Sequence, residues 1–248
     1  MGRVCTAALS LLLLLAPLSA SAATYVFDIT VDSRRVDGVP VPFAPVHFSQ
    51  TWISGIVYST LVVEPRPSGT LEQLSGLAAL FPSETPLDAE TFAVSGLSPS
   101  DLNGAQFSGT ATRFDGATSG LGYDLFFSHF GSIFDSPAAN VTRIRSWSMG
   151  LGLSASGPAA PHLTAFTDPY LAALMMGKTL TFGVEGGMNQ FNSVTRERSF
   201  SQVKYTGTAV LTSFDIMPQQ VPEPASWALM ILGFAAVGSA ARRRRVGA

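Results

Sequence analysis

The chain has 248 residues, of which 46% are hydrophobic and 13% are charged, and its formal net charge is −2. This combination of high apolar and low charged content excludes a disordered chain. Between residues 23 and 221 the sequence holds ten basic and sixteen acidic residues, a net charge of −6. Such acidity argues against nucleic acid as a partner, because affinity for phosphate backbones comes mainly from Lys and Arg.

Residues 1–22 have the order of a secretory signal peptide. Arg3 is followed by a short apolar core and then by an A-x-A cleavage pattern at Ala20 and Ala22. The apolar core is shorter than the roughly 20 residues of a spanning helix, so we expect cleavage rather than a permanent anchor. The mature chain then begins at Ala23 or Thr24 after passage through the export translocon.

Cysteine and histidine are too sparse for most metal or thiol chemistry. The one cysteine, Cys5, lies in the signal, so the mature chain has no disulfide or cysteine nucleophile. His47, His129 and His162 are scattered, and we therefore predict no metal and no cofactor. His129 alternates with Phe127 in an apolar segment, which favours a partly buried strand histidine over a catalytic base.

Alternating apolar and polar residues predict short strands across residues 23–220. The strands are expected at 25–31, 53–63, 107–114, 123–130, 141–153, 180–184 and 202–214. The run 53–63 is apolar on both faces and predicts a central strand covered on both sides. Asp37-Gly38 suits a turn between short extended segments, and Gly186-Gly187 is expected to close the strand at 180–184.

Two short helices are predicted between the strands. Asp168 is expected to cap a helix that ends at Gly177, and the spacing from Thr70 predicts a second helix through Phe81. Because Gly, Ser and Pro separate many short strands, the predicted fold is mainly β. We expect a β-sandwich of jelly-roll type over residues 23–220, with a single closed sheet as the alternative.

The C-terminal end contains three different segments in a fixed order. A proline-rich motif comes first, the uncharged stretch 225–241 follows, and a basic cluster ends it. The motif residues are Pro222, Glu223, Pro224 and Trp227, and the basic residues are Arg242, Arg243, Arg244 and Arg245. As a helix, 225–241 is about 25 Å long, near the lower limit for crossing a membrane. The arginines are expected to stay cytoplasmic, which places the acidic region outside.

These residues resemble the PEP-CTERM sorting domain of the PEPxxWA type, a tail also catalogued as an ice-binding protein C-terminal domain. The resemblance covers about residues 221–245 of the C-terminal segment 221–248 and implies processing by an exosortase-type membrane transpeptidase. It implies export across the inner membrane of a Gram-negative bacterium, a membrane-anchored precursor, and a final location at the cell surface or outside the cell. Ice binding does not follow, because the Thr-x-Thr segments are irregularly spaced.

Two classes of function remain for residues 23–220. The favoured one is a non-catalytic surface or matrix protein that contacts exopolysaccharide, and the alternative is a secreted carbohydrate-active hydrolase. No compact acid–base or nucleophile motif is present, although any two of the carboxylates could converge in the fold. Six aromatic residues are candidates for sugar contact, and each is expected to be core or rim more often than site. They are Trp52, Tyr58, Tyr123, Trp147, Tyr170 and Tyr205.

Overall fold

The computed structural model describes residues 23–216 except 58–59, 77, 103–105, 117–119, 158–159 and 165–166. The strands, in chain order, are β1 (Ala23–Val36), β2 (Val39–Val41), β3 (Val46–Val57), β4 (Thr60–Arg66), β5 (Gly69–Gly76), β6 (Ala78–Pro82), β7 (Gln106–Gly116), β8 (Gly120–Ala138), β9 (Val141–Ser156), β10 (Thr179–Asn192) and β11 (Arg198–Ile216). The helices are α1 (Asp88–Ser95), a 3₁₀ turn (Pro99–Leu102) and α2 (Asp168–Met175).

The predicted signal peptide, the sorting motif and the predicted transmembrane helix at 225–241 lie outside the described residues. Within the described part, no helix has both the length and the hydropathy needed to cross a membrane.

All eleven strands belong to one antiparallel sheet, which confirms the mainly β prediction. The order is β4-β5-β7-β8-β9-β10-β11-β1-β3-β6, and β2 pairs with β1. Most neighbours in this order are also neighbours in sequence, because hairpins join them. The described strands thus form one continuous hydrogen-bonded sheet, whereas a jelly roll has two.

The sheet curls until its two ends come together. The chain passes from β3, near one end of the sheet, to β4, at the other end, with only residues 58–59 between them. Two residues span at most about 11 Å between the flanking Cα atoms, whereas eight strand spacings in a flat sheet amount to about 38 Å. Only a strongly curled sheet satisfies both, and β6 accordingly lies against β7 and β8.

Curling places opposite halves of the sheet face to face around one core. Phe48 of β3 meets Phe182 of β10 with ring centroids 6.1 Å apart. Gln50 of β3 lies with its Nε2 atom 3.5 Å from the Sδ atom of Met149 of β9. These strands are three and four places apart in the sheet order, so the contacts cross the interior and make the arrangement sandwich-like.

Strict alternation explains which strand residues reach this core. In β1 the side chains of Tyr25, Phe27, Ile29 and Val31 are buried, whereas the intervening side chains are partly or fully exposed. Successive side chains on a strand point to opposite faces, so one apolar series is sufficient to form the inner face. The predictions for this strand, for the turn at Asp37-Gly38 and for the strand over 202–214 are confirmed.

The predicted central strand over 53–63 is wrong. It is two strands in different places, and every residue of β4 is exposed, including Val63 at 54%. A β-branched apolar run is typical both of a covered strand and of an edge strand, and β4 is an edge of the sheet.

The predicted helix from Thr70 to Phe81 is also wrong, because this segment forms β5 and β6. The capping spacing is a local signal, and pairing of β5 with both β4 and β7 overrides it. The helix that does form in this region, α1, begins at Asp88 and packs against β9, β10 and β11.

The helix predicted near Asp168 is confirmed, but its cap is not. Thr167 occupies the cap position of α2, and the Asp168 side chain accepts hydrogen bonds from Tyr25 and Ser54 instead. Gly177 follows the helix with a φ of 68°, which glycine adopts without strain.

The first and last strands lie side by side with their outer ends together. In the antiparallel pairing of β1 with β11, Ala23 is opposite Ile216. The described part of the chain therefore begins and ends at one place on the sheet.

The predicted end of the strand at Gly186-Gly187 is wrong, because both glycines pair with β9 and β11 and β10 continues to Asn192. Gly186 instead makes room for α1. A Cβ atom at Gly186 would fall 1.9 Å from the backbone oxygen of Thr91. We expect Gly186→Ala to lower the free energy of unfolding by about 1–3 kcal/mol, measured by denaturant titration, because the helix must move.

Gly183→Ala on the same strand is the matched control for Gly186→Ala. Its added Cβ would meet its nearest atom, the Tyr205 oxygen, at an ordinary 3.7 Å. Equal losses in the two variants would contradict close packing of α1 on β10.

Candidate functional site

The outer face of the sheet contains a shallow groove of about 480 Å³ across β8 to β11 and β1, here called the outer groove. Its outward-facing lining residues are Asp32, Phe126, Ser148, Gly150, Gly152, Thr181, Gly183, Glu185, Lys204, Thr206 and Thr208, and the backbone of Gly207 also lines it. Glycines occupy adjacent positions of neighbouring strands, since Gly150 pairs with Gly183. Because glycine has no side chain, the backbone of these residues forms the floor of the groove.

Phe126 is held against this glycine floor. Ideal Cβ positions at Gly150 and Gly152 lie 3.6 Å and 3.7 Å from atoms of the Phe126 ring. The ring therefore packs over the glycine backbone while the residue remains 52% exposed. Packing on one side fixes the ring, and its exposed area is available to a ligand.

Phe126, Phe130 and Phe134 form an exposed aromatic series on β8, here called the Phe ledge. Their exposed fractions are 52%, 41% and 69%. They are four residues apart on one face, which spaces them about 13 Å from each other along the strand. The sequence prediction missed this series because β8 is apolar on both faces, with Leu125 and Phe127 facing inward.

Polar and charged groups line the rest of the outer groove. Lys204 Nζ lies 3.4 Å from Glu185 Oε2, and the Thr181 hydroxyl donates to the Gly152 carbonyl at 3.1 Å. Thr206, Thr208 and Asp32 add further hydroxyl and carboxylate oxygens. The outer groove thus combines one aromatic wall with donors and acceptors on the other side.

The aromatic residues selected from the sequence lie elsewhere. Trp52, Tyr123, Trp147 and Tyr205 are buried in the core, and Tyr170 is partly buried against it. Tyr58 lies outside the described residues. These burials agree with the expectation that core packing, rather than ligand contact, is their commoner role.

His129 is a buried strand histidine, as predicted. Its ring lies edge-on to Trp147 with centroids 5.4 Å apart. Burial lowers the pKa of His129 to about 4, so the imidazole is neutral at pH 7.

Among the described residues, the most buried ion pair joins Glu72 of β5 to Arg113 of β7, which are directly opposite in the sheet. Arg113 Nη1 donates to Glu72 Oε1 at 3.0 Å, His162 Nδ1 lies 2.8 Å from the same oxygen, and the Leu163 N–H donates to Oε2. Burial by itself raises the pKa of Glu72, but the His162 and Leu163 hydrogen bonds and the Arg113 charge hold it below its usual range. Glu72 is therefore an anion at neutral pH that joins the sheet to the segment before α2.

Metal-ligating side chains do not gather in the described part of the chain. No three His, Cys, Asp or Glu residues there are arranged to hold an ion.

The tail matches the model of a known family. Residues 220–245 match the PEP-CTERM protein-sorting motif. The motif indicates an exported protein that is anchored in the membrane as a precursor and processed by an exosortase in Gram-negative bacteria. The match begins four residues after the last residue of β11. No curated protein and no solved structure matches the chain.

We expect Glu72→Gln to lower the free energy of unfolding by about 3 kcal/mol at pH 7, because it leaves the buried Arg113 with only the exposed carboxylate of Asp115, 3.6 Å away, as a counter-ion. Since the pKa of folded Glu72 is lowered, the stabilisation is present above the unfolded value near 4.3 and is lost as the pH falls through the folded value. Denaturant titrations at a series of pH values measure this difference.

Glu64→Gln is the control, since Glu64 and Arg66 form an exposed pair with side chains 55% and 50% accessible. Its expected effect is close to zero. A Glu72→Gln loss that does not shrink in acid would contradict the ion-pair explanation.

Proposed function

We propose that the protein is a non-catalytic surface or matrix protein whose exported domain binds exopolysaccharide along the outer groove and the Phe ledge. In this proposal residues 1–22 are the signal peptide, 23–220 the exported domain, and 221–248 the sorting signal. The observation that carries it is the fixed, half-exposed ring of Phe126 over a floor of glycines.

The chemistry of the outer groove suits a sugar. Pyranose rings present flat patches of C–H groups that pack on aromatic faces, while their hydroxyl groups need hydrogen-bond partners at the edges. The Phe126 ring supplies an aromatic face for the C–H groups. Thr206, Thr208 and the Glu185–Lys204 pair supply hydrogen-bond partners for the hydroxyl groups. A purely apolar partner would leave these polar groups without partners.

The dimensions favour an extended ligand. A volume of about 480 Å³ is within the usual range for ligand sites. The Phe ledge continues beyond the groove, and Phe126 and Phe134 are about 27 Å apart along the strand by the usual rise per residue. A polymer chain can contact both features, whereas a monosaccharide contacts only one.

The hydrolase alternative has less support from the described carboxylates. A glycosidase needs a general acid whose pKa is raised and a second carboxylate nearby. Glu72, one of the two buried carboxylates in the described part, is held ionised by Arg113. The other, Asp168, bonds to Tyr25 and Ser54 beneath the sheet surface. Burial raises the pKa of Asp88, but both of its carboxyl oxygens accept hydrogen bonds from Thr85 at the start of α1.

Sugar binding is tested with exopolysaccharide purified from the producing cells and immobilised on a sensor surface. Replacing Phe126, Phe130 and Phe134 together by Ala should weaken binding at least tenfold, because three stacking contacts are lost. The unfolding midpoint should change little, since the three side chains are 41–69% exposed and lie outside the core.

Phe200→Ala is the matched control, because Phe200 is 53% exposed on β11 but does not line the outer groove. It should bind like the wild type. Unchanged binding by the triple variant, or no binding by the wild type, would reject the groove as the polysaccharide site.

For the sorting signal, we propose that Pro222, Glu223 and Pro224 are the processing motif and that Trp227 completes it at the start of the apolar segment. Proline disfavours helix in the residue before it, so this strip stays extended and accessible to a membrane enzyme. Arg242–Arg245 hold the segment at a fixed depth from the cytoplasmic side.

Changing Pro222-Glu223-Pro224 to three alanines should leave the precursor uncleaved and membrane-bound. Neutral residues at Arg242–Arg245 should weaken retention during processing. Immunoblots of membrane and medium fractions, with and without the exosortase gene, measure both effects. Release of the triple-alanine form at the wild-type level would show that the segment is only an anchor.

A further inference from the structure

The nitrogen of Ala23 lies inside the domain, at the start of a short chain of hydrogen bonds. It donates to Ser54 Oγ at 2.9 Å, and Ser54 Oγ donates to Asp168 Oδ2 at 3.0 Å. Ala23 is fully buried, and Ser54 and Asp168 are buried as well. A backbone nitrogen of β1 is thus connected through one hydroxyl to a buried carboxylate on α2.

In the described part of the chain, all hydrogen-bond partners of the Asp168 carboxylate are neutral. Its other oxygen accepts a hydrogen bond from the Tyr25 hydroxyl at 2.8 Å. Every ion pair among the described residues involves a different carboxylate. A buried carboxylate without a counter-ion is costly, and the raised pKa of Tyr25, caused by burial and by Asp168, reflects the same negative charge.

We infer that removal of the signal peptide supplies the missing cation, because the new α-ammonium group of Ala23 pairs with Asp168 through Ser54. The A-x-A pattern at Ala20 and Ala22 directs cleavage to the Ala22–Ala23 bond. Water adds across this bond, giving a hydroxyl to the Ala22 carbonyl carbon and a hydrogen to the Ala23 nitrogen. The amine then takes up a proton, since α-amino groups have pKa values of about 7.7–8.0.

This pairing gives the cleavage position a structural role. Two hydrogen bonds in series connect the Ala23 nitrogen to Asp168 Oδ2. At such a separation, opposite charges in a protein interior interact strongly. An extra residue before Ala23 would move the positive charge away while keeping the nitrogen as an amide. The mature domain is therefore more stable with Ala23 as its first residue than with any extension.

The test compares two chains that have lost the signal peptide and keep the C-terminal tail. Both are exported with their own signal and purified in the same detergent. One is the natural sequence, and the other has a glycine inserted between Ala22 and Ala23; intact mass identifies the first residue of each. We expect the chain beginning at Ala23 to melt about 4 °C or more above the extended chain. Asp168→Asn should abolish this difference, whereas Asp28→Asn, which removes an exposed carboxylate from β1, should preserve it.

A second measurement decides the matter even if Asp168→Asn fails to fold. Acylation of the α-amine by a water-soluble active ester, followed by mass spectrometry, should be at least tenfold slower in the folded natural chain than in the extended chain. The rates should become equal in denaturant. Equal melting points with equal acylation rates, or a mature chain that begins at Thr24, would overturn the inference. None of these readouts depends on sugar binding or on sorting.

Discussion

The strands β3 to β6 form one long hairpin, in which β3 pairs with β6 and β4 with β5, and this hairpin belongs to both ends of the sheet and constrains the rest of the structure. Its base, β3 and β6, continues the sheet beyond β1, and its tip, β4 and β5, pairs with β7 at the opposite end. The connections between base and tip are so short that the intervening strands must curve around the core. Contacts across the core, such as Phe48 with Phe182, exist only because of this curvature. A cysteine-free domain of this size then has one apolar core, without cross-links, as its main source of stability.

Glycine contributes to both faces of this curved sheet, with different results. On the inner face, Gly186 allows the backbone of α1 to approach β10. On the outer face, Gly150, Gly152 and Gly183 leave a depression, and the Phe126 ring covers part of the bare backbone. An aromatic ring that packs against the protein on one side is already ordered before a ligand arrives. Binding there consequently loses less side-chain entropy than binding to a freely rotating residue.

Features that follow from a local sequence pattern were predictable, whereas features that depend on which residues meet in the fold were not. Alternation in Tyr25–Val31 and the motif at Pro222–Pro224 are both linear patterns, and the structure and the family match confirm them respectively. The exposed strand over 60–66 was misassigned because its β-branched residues are equally typical of a covered strand. The Phe ledge was missed because β8 is apolar on both faces, and sequence alone does not show which face lies outside. Asp168 has a local pattern typical of a helix cap, and only the folded sheet brings Tyr25 and Ser54 to its side chain.

The position of Ala23 opposite Ile216 has a mechanical consequence. In the proposed function, the tail holds the precursor in the membrane while the outer face holds a polymer, so tension enters the domain at the C-terminal end of β11. The last residues of β11, from Leu211 to Ile216, pair with β1 alone, since pairing with β10 extends only to Val210. Force directed across the strands at this end opens these hydrogen bonds one after another instead of loading them together in shear. Residues 211–216 can therefore yield under load and lengthen the tether while the groove on the neighbouring strands keeps its shape.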